Sequence, residues 1–362
     1  VNPIPVFNST LTPPAICSAT TFNYAATSAI GGATFAWSRA LVAGISQGAS
    51  SGTGNVSEAL TNTTTAPIVV TYVYVTTANG CTGAPQNVTV VVNPIPVLSS
   101  TLTPAAICSG ATFGYTPTSA TVGATFAWSR ALVAGITEAA SSGTGNVSEV
   151  LTNTTTAPIV VTYIYTTSAN SCSSNQNVVV TVNPIPVLSS TLTPPAICSA
   201  TTFSYTPTSA TAGATFSWSR ATVVGITETA TSGTGAVSEI LTNTTSAPIV
   251  VTYAYTTTAN GCNNAAQNVV VTVNPTPKLS SALLPPAICS GSTFNYTATS
   301  ATAGATFAWS RAVVLGISQA ASSGTGNVSE VLTNTTTAPV NVNYAYITTA
   351  NGGSNQPKTV TV

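Results

Sequence analysis

Along most of the chain Val, Ile, Thr, Tyr and Phe alternate with small polar residues in short runs, and Gly, Pro, Asn and Ser interrupt them. Alternation with period two predicts half-buried β-strands, and no stretch keeps the 3.6-residue period of a helix. Within residues 92–182 the pattern predicts strands near 97–102, 111–116, 124–130, 135–140, 146–152, 159–167 and 176–182. Strands at this spacing in about 90 residues predict a two-sheet sandwich. Phe126 and Trp128 share one face of their strand, as do Val161, Tyr163 and Tyr165 of theirs. Those faces are expected to meet in a core, with Trp128 and its counterparts Trp37, Trp218 and Trp309 as core aromatics.

The same pattern is written four times. Val-Asn-Pro-x-Pro starts at Val1, Val92, Val182 and Val273, and Cys, Trp and Arg recur in phase with it. A fixed period of this length predicts an array of similar modules, here 1–91, 92–181, 182–272 and 273–362. Val362 reads as the equivalent of Val182, so the chain is expected to stop where a fifth Asn-Pro begins, as an excerpt of a longer array does. Residues 93–96, Asn-Pro-Ile-Pro, have φ restricted at two positions, which predicts stiff joints and an extended rod.

Composition narrows the chemistry. Charged residues make up 3% of the chain, the net charge is zero, and neither His nor Asp occurs. A His-based triad, a His-rich metal site and an Asp-built calcium cage are therefore impossible. Scattered Lys and Arg cannot displace counterions from a nucleic acid, so no such partner is expected. No apolar run approaches about 18 residues, so no membrane insertion is expected either. No cofactor or metal is implied. The few Glu stand once or twice per module without a second acid at a plausible distance, which argues against catalysis.

The strings ICSGATFGYTPTSATVGATFAWSRA (107–131) and VTYIYTTSANSC (161–172), followed by NVVVTVNP (177–184), resemble the PKD-like, immunoglobulin-fold repeats of large secreted surface proteins of Bacteroidota. All four modules match this pattern. The resemblance implies four tandem all-β immunoglobulin-like sandwiches in an extracellular, cell-surface protein of the gliding-adhesin kind, exported by the type IX route.

Cysteines fall as Cys17/Cys81, Cys108/Cys172 and Cys198/Cys262 at constant spacing, with Cys289 alone and Gly353 at the position of its partner. In an oxidising compartment this spacing predicts disulfides. Two connectivities are open. Pairing within a module, Cys17–Cys81 and its equivalents, is the simpler. In an immunoglobulin-like topology, however, the two half-cystines of one module lie at opposite ends, beyond the roughly 7 Å Cα limit of a disulfide. Staples between modules, Cys17–Cys172 and Cys108–Cys262, are the alternative. Each module also carries one Arg after the Trp and one Glu in its fifth strand. Arg39 with Glu58, Arg130 with Glu149, Arg220 with Glu239 and Arg311 with Glu330 are expected to form structural ion pairs between the sheets. Asn-x-Ser/Thr recurs, for example at Asn62, Asn153, Asn243 and Asn334, but a chain this rich in Ser and Thr forms the motif by chance.

These observations favour a non-enzymatic structural protein, a stalk or filament whose partners are copies of itself. The alternatives are an adhesin whose repeats bind surface glycans directly, and an accessory module of a secreted polysaccharide-degrading enzyme.

Overall fold

The computed structural model describes all 362 residues and contains strands, turns and loops but no helix. The chain divides into two compact units, Val1–Pro184 and Ile185–Val362. Each unit holds two sandwiches of the same design, so the architecture is four tandem immunoglobulin-like domains.

The second repeat shows the design. One sheet runs in the order Ser141–Thr144, Thr125–Arg130, Ile159–Ala169, Cys172–Asn183 and Ile107–Cys108. Its pairs are antiparallel except the last, where Ile107 and Cys108 lie parallel to Val182 and Asn183. The opposing sheet has two strands, Ala111–Tyr115 and Val147–Leu151. Alternation places Val161, Tyr163 and Tyr165 on the inner face of one long strand and Val178, Val180 and Val182 on that of the next, all fully buried. Phe113, Tyr115, Val147 and Leu151 close over them from the other sheet.

Two of the expected strands are not strands. Residues 97–102 run extended with Leu98 buried, but Ser99 N–H bonds to Thr118 O while Val179 N–H bonds to Leu102 O. The segment thus divides its hydrogen bonds between two neighbours, and no ladder forms. Residues 135–140 form a loop because Gly135 sits at a φ of 86° and Ile136 turns into the core; the strand begins later, at Ser141. A Cβ on Gly135 would lie 2.6 Å from Ile159 Cδ1, so glycine is required there for space as well as for its left-handed backbone.

In the second unit the third repeat follows this plan, with sheet neighbours Thr231–Thr234, Thr215–Arg220, Ile249–Ala259, Gln267–Asn274 and Ile197–Cys198. The fourth repeat departs from it at one edge. Tyr344 pairs with Val360 as Tyr72 does with Val88, and Val342 and Val362 exchange two backbone hydrogen bonds. Val362 therefore stands at the register of Val90 and Val180, two residues before Val182. Its Val-Thr-Val ending resembles that of 180–182, and a slip of two along a strand keeps every side chain on its face, so alternation cannot detect the offset. Ile288 and Cys289 consequently have no strand beside them.

Candidate functional site

A buried arginine recurs in every repeat and gathers a cluster of polar side chains around it. The cluster begins on the Thr125–Arg130 strand, whose alternation carries Arg130 inward after Phe126 and Trp128. Arg130 is almost wholly buried, and its Nε donates to Glu149 Oε2 at 3.0 Å. Tyr163 OH donates to the same oxygen at 2.6 Å. The rest of the guanidinium is spent on the following loop, with Nη2 donating to Ala139 O at 2.6 Å and Nη1 to Ala131 O and Glu138 O at 3.4 Å. One arginine thus ties that loop to the opposing sheet. Arg39 with Glu58 and Tyr72, Arg220 with Glu239 and Tyr253, and Arg311 with Glu330 and Tyr344 repeat the arrangement, with Arg–Glu distances from 2.9 to 3.1 Å.

Burial works against ionisation of Glu58, Glu149 and Glu330, but hydrogen bonds from Ser, Tyr and Arg and the arginine charge outweigh it, so each carboxyl is held below its ordinary value. Burial first, and the carboxylate second, push the phenols of Tyr72, Tyr163, Tyr253 and Tyr344 far above theirs. The remaining acids are also engaged. Glu138 Oε2 accepts Thr152 N–H at 2.8 Å and Glu228 does the same for Thr242. Gln47 and Gln319 make the equivalent bond through their amide oxygens, so this position caps a strand end without needing a charge.

The tryptophans lie at the rim of the core, not at its centre. Trp128 packs edge-on to Tyr163 but is only partly buried, because its neighbour Ser141–Thr144 is the sheet's edge strand. The indole covers Gly143, directly across the strand pair; a Cβ there would lie 2.7 Å from the ring. Trp37, Trp218 and Trp309 cover Gly52, Gly233 and Gly324 in the same way.

Asn153 has a role that the glycosylation-like motif concealed. Its Oδ1 accepts from Thr155 N–H and Thr155 Oγ1, and its Nδ2 donates to Ala157 O and Val182 O, all at 2.8 Å. The Asn-Thr-Thr string is a turn whose first residue pins the last strand of the repeat. Asn62 and Asn243 do the same.

The joint of the first unit brings together residues far apart in sequence. Cys17 and Cys172 form a disulfide with a Cα separation of 5.7 Å across a sequence separation of 155, and Asn93 Nδ2 donates to Asn170 O at 3.1 Å. Cys17–Cys81 pairing does not form, because Cys17 is already bonded and Cys81 is a free thiol. Cys108 holds the position of Cys17 in the next repeat and Cys262 that of Cys172; neither is a free thiol. In the second unit Asn274 Nδ2 donates to Asn351 O at 3.1 Å, and Cys198 is free beside Gly353. Cys289 is free and exposed. No three His, Cys, Asp or Glu side chains gather as metal ligands.

The model of the PKD-like domain matches residues 14–96, 105–186 and 195–277. Among curated proteins none matches. Solved structures similar to the chain include the I-band fragment I67–I69 from titin, at 10% identity over 76% of this chain and 99% of that one, with a TM-score of 0.38. The insect immune protein hemolin aligns at 11% identity over 99% and 98%, TM-score 0.26. Protocadherin gammaB7 EC3-6 aligns at 14% identity over 99% of both chains, TM-score 0.29.

Proposed function

This chain belongs to the PKD-like domain family, and on that footing we propose that it is a non-enzymatic extracellular structural protein, a stalk or self-assembling filament on a bacterial cell surface. The cell-surface attachment, and export by the type IX route from a member of the Bacteroidota, are part of the same proposal. The observation that carries it is the Cys17–Cys172 bond. A pull between the two ends of the first unit runs along the backbone to Cys17, crosses the disulfide and leaves from Cys172. The stretch between the two cysteines, which includes most of both sandwiches, lies outside that covalent path. Neither core can then be drawn out as thread while the bond holds. At roughly 3.3–3.6 Å per extended residue, the bond withholds about 530 Å of contour for its separation of 155 residues. Such a bond persists in an oxidising compartment, which suits an extracellular load bearer.

Force spectroscopy on the full chain, held at its two ends, tests this reading. The reduced and alkylated protein is expected to extend at least about 530 Å further than the oxidised protein. Equal final lengths would remove the load-bearing argument.

A further inference from the structure

The connection into the fourth repeat differs from the others. Its Val-Asn-Pro opening continues as Thr276-Pro277-Lys278, where the second and third repeats have Ile95-Pro96-Val97 and Ile185-Pro186-Val187. Those four apolar side chains are each at least 37% exposed, so the exchange costs no core packing and changes surface chemistry alone. The same connection has no disulfide, since Cys198 meets Gly353.

Thr276 and Lys278 line a cavity of about 620 Å³ within the second unit. Thr244, Thr245 and Ser246 of the third repeat form one side of it, and Thr302 of the fourth repeat stands on the other. Small-molecule sites have volumes of roughly 300–1,000 Å³.

The lining selects the ligand. Of six basic side chains, four are the arginines buried against glutamate, and Lys278 is one of the two lysines that remain. Lys278 is exposed and belongs to no ion pair, and no carboxylate lines the cavity, so its ammonium is free to take an anion. The hydroxyls add a second requirement. Thr244 Oγ1 donates to Gly225 O at 3.1 Å and Thr245 Oγ1 to Asn243 Oδ1 at 2.8 Å. With those protons committed inside the third repeat, both oxygens can only accept from a ligand. Sulfate offers acceptors alone and leaves them unmet. A ligand with O–H donors beside a carboxylate satisfies the threonines and the lysine together.

We propose that this cavity binds a uronate residue of an acidic polysaccharide, with Lys278 Nζ donating to the carboxylate and Thr244 and Thr245 accepting from sugar hydroxyls. Charge-assisted bonds to the carboxylate supply most of the affinity. Because the walls come from two repeats, a bound sugar bridges a connection that no disulfide holds. The site is independent of the load-bearing reading and stands on ligand binding alone.

Isothermal titration of the full chain with a galacturonate trimer tests it. Binding at one site per chain is expected, and methyl esterification of the trimer should weaken it about tenfold or more. Lys278→Val, which installs the residue found at 97 and 187, should weaken it as much and leave the melting temperature unchanged, since Lys278 has no partner in the fold. Ile95→Thr combined with Val97→Lys should add a second site in the first unit, where Thr63, Thr64 and Thr121 repeat the lining. Absence of binding, undiminished binding by Lys278→Val, or a double variant that gains no site would each overturn the proposal. So would sulfate or a glutamate trimer binding as tightly as the uronate.

Discussion

Gly353 stands where a half-cystine would complete a bridge to Cys198. A Cβ built on Gly353 lies 3.4 Å from Cys198 Sγ and 3.8 Å from Cys198 Cβ, and disulfides have Cβ atoms roughly 3.5–4.5 Å apart. The joint of the second unit therefore keeps the geometry of Cys17–Cys172 without its bond.

Gly353→Cys is expected to bond to Cys198 on air oxidation. Titratable thiols would number two, against the three of the parent chain, Cys81, Cys198 and Cys289. A new loop as long as that closed by Cys17–Cys172 stabilises by about 2–4 kcal/mol, read as a raised denaturation midpoint for the second unit that reductant removes. Four free thiols persisting after oxidation would show that the joint is set wider than described.

Glu149→Gln is expected to cost the second repeat about 3 kcal/mol, because it leaves the buried Arg130 guanidinium without its counter-charge. Arg130→Met combined with Glu149→Leu removes both charges and should recover much of that loss. Urea titration of the two variants checks the order; if the single substitution is as stable as the parent, the pair is not a structural lock.

Gly143→Ala drives a methyl into the indole of Trp128. Tyr163 packs edge-on against that ring, which limits its retreat. A loss of about 1–3 kcal/mol is expected, with a changed near-ultraviolet circular dichroism signal from the displaced ring. Gly145→Ala, beside no neighbour but at a φ of 69°, is the control for backbone strain alone.

Stability should depend on pH at both extremes and little between them, since the chain has no His. The carboxyls of Glu58, Glu149 and Glu330 lie below their ordinary value in the folded state. Their contribution is complete above the unfolded value of about 4.3 and is lost as pH falls through the depressed folded value. Burial pushes Tyr74 up to about 12 and the Glu-bonded tyrosines higher still. These tyrosines ionise near pH 10 in the unfolded chain but not in the folded one, so the stability they contribute below about pH 10 declines above it. Melting temperature against pH should show a plateau with two falling flanks, and Tyr72, Tyr163, Tyr253 and Tyr344 should form tyrosinate only together with unfolding.

Much of this protein follows from local pattern. Period-two alternation decides which side of a strand a residue faces, so it puts Arg130 with Phe126 and Trp128, and Tyr163 with Tyr165. The repeats, the sandwich class and the absence of His and Asp chemistry need no coordinates. Alternation is blind, however, to a slip of two, which is why the register of Val362 came from its hydrogen bonds with Val342 and not from its neighbours in sequence. It also could not tell the loop at 135–140 from a strand, because a single left-handed glycine outweighs several strand-forming residues.

The role of Asn153 was hidden by a motif that chance also produces. Only the fold shows that its amide bridges a turn to a strand 29 residues later. Which cysteines meet was likewise beyond the sequence, where equal spacing supported two connectivities. A bond across a separation of 155 depends on where whole domains end and how their loops face, a property of the assembled backbone. Strand faces are local and legible along the chain; contacts between distant ends are decided by topology alone.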